Sequence, residues 1–596
     1  MKKIQLSYLI LFAISFGYLL LFGNRIFFHQ ENRSLFIFSL EYLEKHLLKP
    51  GGLLKYFAAF LLQGYYLNFY GAAVNSLLVV GLATVVNSVV KRLLNYQTLY
   101  VSLVLLIPLG IIICQADYQY SILNTLGFLL SLLWFLLSII RKSRLTRIIL
   151  LLLFPLFYYI SGTYALLSLG IYLVYVIFYG KEKRLCLFAI LQIIVLALVL
   201  SASYFVVFMQ PFKVLIGYPL VFNEFGSLTI PFIILSGIII LFPALTKIAD
   251  LGVLEKHERI ISPVTVFIIV SSSLFVLFRQ YNSVFEKVMK TEKLFFNHDY
   301  DKVISEHEKN ASSNIVDQFY YNLALSEKGK LCERMFFGRQ EAGPMSLSLG
   351  GSREQASRTM HYYYAIGLVN EARHLAFELM VNNGYMPENL KMLIKTELLN
   401  GNFRVAERYI NILKSTLRYR SLAQKYEKLA VNPELVKADP ELGEKIRLMP
   451  EEDFFIHTED VMNTELLLKS NPLNRKAFEY KMARLLLEKD IIAVAEEVKN
   501  MKARGYTSIP RHIDEAIVAY RNYSNAFPEM EGLTTSSDIE ERFIRYVQTV
   551  NRYKGDKMLI EKTLNKREKN TFWFYLQFGK ISSDFMRSKP VDRDIY

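Results

Sequence analysis

The chain changes pattern near its middle. Through Phe278 it runs in apolar stretches of about 15 to 25 residues separated by short polar loops, and after Arg279 apolar positions recur at helical spacing among many charges. The pivot is Ile260 to Phe278, IISPVTVFIIVSSSLFVLF, without a charge and long enough at ~1.5 Å per residue to cross a bilayer. Its direction of crossing decides on which side the charged half works.

Lys2 and Lys3 precede an apolar run from Ile4 to Phe28 that is too long for a signal peptide and lacks a small-residue cleavage site, so it reads as a retained first helix with its N-terminus in the cytoplasm. Further spans are expected at 71–90, 98–116, 121–140, 148–162, 164–179, 185–208, 229–246 and 260–278, about nine in all. Lys91 and Arg92, then Arg141 to Arg147, then Lys181 to Arg184, then Lys247 to Arg259 place positive charge in alternate loops, while the loops around 115–120, 161–163 and 210–228 carry little. Alternate loops are therefore expected to be cytoplasmic, and an odd number of crossings leaves Arg279 and all that follows outside. Reading 148–162 and 164–179 as one bent unit would reverse that outcome.

The first outer loop, 29–70, is unusually long. Phe36, Leu40, Leu43 and Leu47 share one helical face opposite Glu41, Glu44 and Lys45, the pattern of a helix lying in the membrane interface. Pro50-Gly51-Gly52 breaks it, and an aromatic-rich segment, Leu53 to Tyr70, follows, either on or inserted into the membrane.

From 280 to about 581 the pattern is helical throughout. YYNLALSEKGKL, YYYAIGLVNEARHLAFELM, LIKTELLNGNFRVAERYINIL and EYKMARLLLEKDIIAVAEEVKNM each set an aromatic-aliphatic helix before a short polar turn and a second helix. Ala372 and Ala406 stand 34 positions apart, the period of a tetratricopeptide repeat, and the segment resembles such repeats. The expected fold is thus all-α: a polytopic membrane domain at 1–279, a tetratricopeptide-like solenoid outside the cytoplasm at 280–581, and a loose tail at 582–596. Two breaks interrupt the solenoid, the Gly- and Ser-rich loop from Phe336 to Arg353 and the Pro-rich acidic stretch 432–453.

Charge and composition narrow the function. Residues 1–279 hold 21 Lys and Arg against 9 Asp and Glu, a net +12, whereas the remainder holds 48 against 45, a net +3. A nucleic-acid binder would carry its excess on the soluble half, so the basic balance is assigned to cytoplasmic loops and nucleic acid is not an expected partner. Three cysteines and nine scattered histidines form no disulfide framework, CxxC or HExxH site, so no metal is expected. No P-loop, dinucleotide fingerprint or nucleophile elbow occurs, and no cofactor is expected.

One cytosol-to-outside helix, a long first outer loop with interface helices and an early carboxylate, many further spans and then an outer domain resemble the layout of the GT-C class of membrane glycosyltransferases. That resemblance covers about 1–280 and implies transfer of sugar from a polyprenyl-phosphate donor, with Glu31 as the matching outer-loop carboxylate and Asp117 as a second. Arg33 and Gln63 in the same loop, and Arg339, Gln340 and Arg353 in the later loop, are candidates for meeting a phosphate or sugar. The chain also resembles an uncharacterised family of bacterial membrane proteins typical of Bacteroidetes, with a QENRSLF-like start and a KPGGL-like break, which implies no activity. The leading expectation is an inner-membrane protein whose periplasmic helical repeats bind a protein or envelope component, ahead of a sugar transferase; a transporter ranks last because no strongly charged residue lies mid-span.

Overall fold

The computed structural model describes residues 2–95, 98–140, 143–180, 183–220, 229–250, 258–349, 355–452, 454–457 and 460–580. Among them every regular element is helical. The expected tail, 582–596, lies outside the described residues. The chain forms two units, one of residues 1–282 with the short segment 415–418, the other of residues 283–414 and 419–596.

In the first unit the apolar runs become α1 (Lys2–Phe22), α2 (Asn24–Asn32), α3 (Leu40–Leu47), α4 (Gly52–Leu62), α5 (Asn68–Leu93), α6 (Tyr100–Gln115), α7 (Ile122–Ile140), α8 (Arg144–Ser161), α9 (Thr163–Tyr179), α10 (Lys183–Ala202), α11 (Phe212–Gly217), α12 (Ile230–Ala249) and α13 (Glu258–Gln280). Six of the described helices are long and apolar enough to cross a membrane: α5, α7, α8, α10 with its one-turn extension to Val207, α12 and α13. The bent pair α1 and α2 adds a seventh when the two are counted as one span. Helices α6 and α9 are apolar but only 16 and 17 residues long, so the count by length stops short of the expected nine.

The first run is not one straight helix, as its composition suggested. It turns by 71° at Gly23. A side chain there would meet the Leu19 carbonyl at 2.4 Å and the Phe27 ring at 2.8 Å, so the absence of one lets Phe27 fold back into the core and swings α2 away from the axis of α1.

Hydrogen bonds gather the loops of this unit into two sets. In one, Gly51 N–H donates to the Tyr159 carbonyl (2.8 Å), Thr163 N–H donates to the Tyr218 carbonyl (3.1 Å), and the Tyr158 hydroxyl donates to the Leu215 carbonyl (2.8 Å). These join the α3–α4 turn, the α8–α9 turn and the segment around α11. In the other set, Asn95 donates from its backbone (2.7 Å) and side chain (2.6 Å) to Asp250, Arg92 donates to the Ile140 carbonyl (3.3 Å), and the Tyr179 hydroxyl donates to the Leu93 carbonyl (3.3 Å). That set joins the ends of α5, α7, α9 and α12. The run 148–179 is therefore two helices folded back on each other, because Gly162 takes φ +58° in the turn between them.

In the second unit, consecutive helices form hairpins. Ala356–Ile366 packs on Val369–Asn383, and Pro387–Leu399 on Phe403–Lys414. Ala372 and Ala406, the positions of matched spacing, are both fully buried, as close helix packing requires. A buried ion network crosses between hairpins: Glu327 accepts from Lys445 at 3.0 Å and from Lys476 at 2.8 Å, and Lys476 also reaches Glu444 at 3.1 Å. Burial opposes ionisation of Glu327, but Lys445 and Lys476 outweigh it and hold the carboxyl down at about 2.

Candidate functional site

The first unit has a cavity of about 270 Å³ between α2, α4 and the α6–α7 loop. Helix α2 presents His29 and Gln30 to it, its C-cap Arg33 follows on the same side, and α4 adds Lys55. The α6–α7 loop closes the other wall with Tyr118, Gln119 and Tyr120. Gln30 Nε2 donates to the Tyr120 carbonyl at 2.6 Å, and the His29 ring meets Tyr118 edge-on at 5.2 Å, which ties the two walls together.

The α3–α4 hairpin is built from aromatic contacts. Phe36 lies 4.9 Å from Phe38, 5.4 Å from Tyr42, 4.9 Å from Tyr56 and 5.5 Å from Phe60, each edge-on, the geometry that aromatic quadrupoles favour. Phe38, Leu40, Leu48 and Phe57 point outward with much of their surface uncovered. On the same hairpin the Lys49 and Lys55 ammoniums stand 5.4 and 5.5 Å over the Tyr218 ring. Burial pushes the His46 imidazole below its ordinary range; a hydrogen bond to the Tyr42 carbonyl opposes this, while Lys55, Lys45 and Lys49 add to it. The hairpin thus concentrates positive charge beside the cavity.

Of the residues singled out in the sequence, Arg33 lines this cavity. Asp117 is in the loop that forms its wall, accepting from the Gln119 N–H at 2.9 Å; burial raises its carboxyl above the usual carboxylate range, and that hydrogen bond only partly offsets the rise. Glu31, next to Gln30 on α2, is turned elsewhere. It is 3% exposed and its Oε2 lies 2.6 Å from Arg418, in the segment 415–418 of the same unit. Gln63 caps α4 with both side-chain polar atoms buried and no hydrogen-bond partner among the described residues.

The remaining three belong to the second unit. Arg339 Nε pairs with Glu341 at 2.6 Å. Gln340 is buried, donating to Asn322 (2.8 Å) and the Met335 carbonyl (2.9 Å) and accepting from Ser346 (3.1 Å), so its amide is spent inside the fold. Arg353 lies outside the described residues. Sequence reasoning passed over His29, Gln30 and Lys55; a lone lysine in the apolar run GLLKYFAAFLL was the signal that could have found the last.

Among the described residues, regular elements that are all helical, six helices fit to cross a membrane and a cavity lined by His29, Arg33 and Lys55 define the class. The chain belongs to a family of unknown function (DUF6057), whose model matches residues 2–579. No curated protein and no solved structure gives a match.

Proposed function

We propose that the chain is an integral protein of a bacterial inner membrane, with its N-terminus in the cytoplasm and the second unit outside, where its helical hairpins bind a protein or another component of the envelope. The observation that carries this reading is the agreement of two independent patterns. The loops joined through Asp250, Asn95 and Arg92 adjoin the Lys- and Arg-rich stretches, and the loops joined through Thr163 and Tyr218 belong to the charge-poor set, while Gly51, bonded to the same group, lies in the long first loop, whose Lys45, Lys49 and Lys55 depart from that pattern. Helices α6 and α9, at ~1.5 Å per residue, reach about 24 to 26 Å, and local thinning of the bilayer accommodates that length. A cysteine placed at Lys213 should then react with an impermeant maleimide added outside the inner membrane, and one placed at Arg144 should react only after lysis. A reporter fused after Tyr596 that works only in the cytoplasm would overturn the reading.

A second reading, a GT-C-like glycosyltransferase taking a polyprenyl-phosphate sugar donor on the outer face, is favoured by the cavity itself. Arg33 and Lys55 line it and supply cationic donors suited to a phosphate, and Asp117, next to the lining residue Tyr118 and bonded to the Gln119 N–H at 2.9 Å, is the nearby carboxyl assigned to take a proton from an acceptor hydroxyl. Glu31, held by Arg418, is a positioning group in this scheme. Asp117→Asn should lower transfer into envelope glycans by roughly 10²- to 10⁴-fold at unchanged protein level. Unaltered glycans in cells carrying that variant would remove this reading and leave the first intact.

A further inference from the structure

The loop after Arg334 is fastened at two points by the same device. Arg339 N–H donates to His307 Nε2 at 3.3 Å, and Phe336 N–H donates to His512 Nε2 at 3.4 Å. On its other nitrogen each ring faces a carboxylate: His307 Nδ1 is 2.8 Å from Asp317, and His512 Nδ1 is 2.9 Å from Glu515. A carboxylate only accepts, so Nδ1 carries the proton in both rings and Nε2 offers its lone pair to the backbone. All four side chains are almost wholly excluded from solvent. Gly338, between the two anchors, sits so close that a side chain would meet the Tyr321 ring at 2.5 Å and the His307 ring at 2.7 Å.

We propose that residues Phe336 to Arg339 form an acid-released latch, in which protonation of His307 and His512 at Nε2 turns two hydrogen-bond acceptors into donors facing N–H groups and frees the segment. The latch joins layers distant in sequence, since His307 belongs to the helix Tyr300–Lys309 and His512 to the helix Arg511–Ser524. Its release uncouples them.

Charged and titratable groups surround both rings, and Tyr321 stacks on His307 at 4.4 Å. Asp317, which also accepts from Thr291 at 2.5 Å, faces His307, with Lys287 and the Arg334–Glu308 pair beyond it. Glu515 faces His512 while accepting from Arg511 at 2.9 Å and from the Phe572 N–H at 2.7 Å, and Glu333 accepts from the Arg511 N–H. Asp514 acts in the opposite sense: burial pushes its carboxyl up to about 6, and a group with a raised folded pKa adds stability as it protonates. Loosening at 336–339 on acidification therefore runs against that local trend and is attributable to the rings.

The test uses the full-length chain in detergent. Hydrogen-exchange protection factors at Phe336 and Arg339 should fall at least tenfold between pH 7.5 and 5.5, and the fall should vanish in the His307→Gln, His512→Gln double variant, whose Oε1 atoms accept without titrating. An equal fall in that variant, or none in the unaltered protein, overturns the latch. Should the variant not fold, exchange of the imidazole C2 hydrogens in the unaltered protein reads the titration of each ring directly, and rings that stay neutral to pH 4.5 overturn it equally.

Discussion

Glu327→Gln should weaken the second unit by roughly 3 to 5 kcal/mol, the cost of leaving a buried charge without its partner. Lys445 is 1% exposed and Lys476 8%, and Glu327 is the carboxylate nearest to both. After the change Lys476 keeps Glu444 at 3.1 Å, but Lys445 is 3.7 Å from that group, so the penalty falls mainly on Lys445. Protection of the amides in Ile315–Glu327 and Arg475–Glu488 should drop by roughly 10²- to 10⁴-fold in the full-length chain. The pH dependence has a definite sign. The Glu327 pKa is depressed to about 2, so its contribution is complete above about 4.5 and is lost as the pH falls through 2; the difference between variant and parent must shrink across that window. Replacing Glu327, Lys445 and Lys476 together by Leu, Met and Met should recover most of the loss, because an apolar trio has no charge to desolvate. A single Gln variant as protected as the parent would show that the network contributes little.

That network also marks where sequence reasoning stops. Long apolar runs and the Pro50-Gly51-Gly52 break are local signals, and each specified helices or a turn that exist; Ala372 and Ala406 lie in helices with both side chains buried. The 71° bend at Gly23 was not legible, because it arises from Phe27 folding against α1 and α5, and hydropathy encodes burial without direction. Glu31 illustrates the same limit for chemistry. Its position in the outer loop suggested an available carboxylate, but its partner Arg418 stands far along the chain and no local pattern announces it. Gln340 was marked for a polar ligand on composition alone, and the fold spends its amide on Asn322, Met335 and Ser346. The neighbourhood of Asp117 came within reach of the cavity because it follows an apolar helix whose end the pattern did fix, whereas Arg33 caps α2, which runs past the expected end of the first apolar stretch at Phe28 to Asn32.

The turn between α8 and α9 supports the other large effect. Gly162 holds φ +58° and ψ −126°, a region that residues with side chains enter at a cost of about 1 to 3 kcal/mol. A Cβ there would also meet the Tyr218 carbonyl at 2.4 Å, Pro219 at 2.9 Å and the Pro50 carbonyl at 2.9 Å, two backbone atoms and a rigid ring that have little freedom to yield. Overpacking of this kind adds about 1 to 3 kcal/mol, so Gly162→Ala should lose roughly 3 to 5 kcal/mol in all, read as a lowered midpoint of thermal unfolding in detergent. Gly237, within α12, is the control: no atom lies within 4 Å of its built Cβ, and Gly237→Ala should be neutral or up to about 1 kcal/mol stabilising. The damage should not stay at the turn. Tyr218, whose carbonyl receives the Thr163 N–H, is the ring beneath Lys49 and Lys55, so displacing it shifts Lys55 at the cavity wall. If Gly162→Ala proved as stable as Gly237→Ala, the close joining of the α3–α4, α8–α9 and α11 segments would be wrong, and the assignment of those loops to one face would go with it.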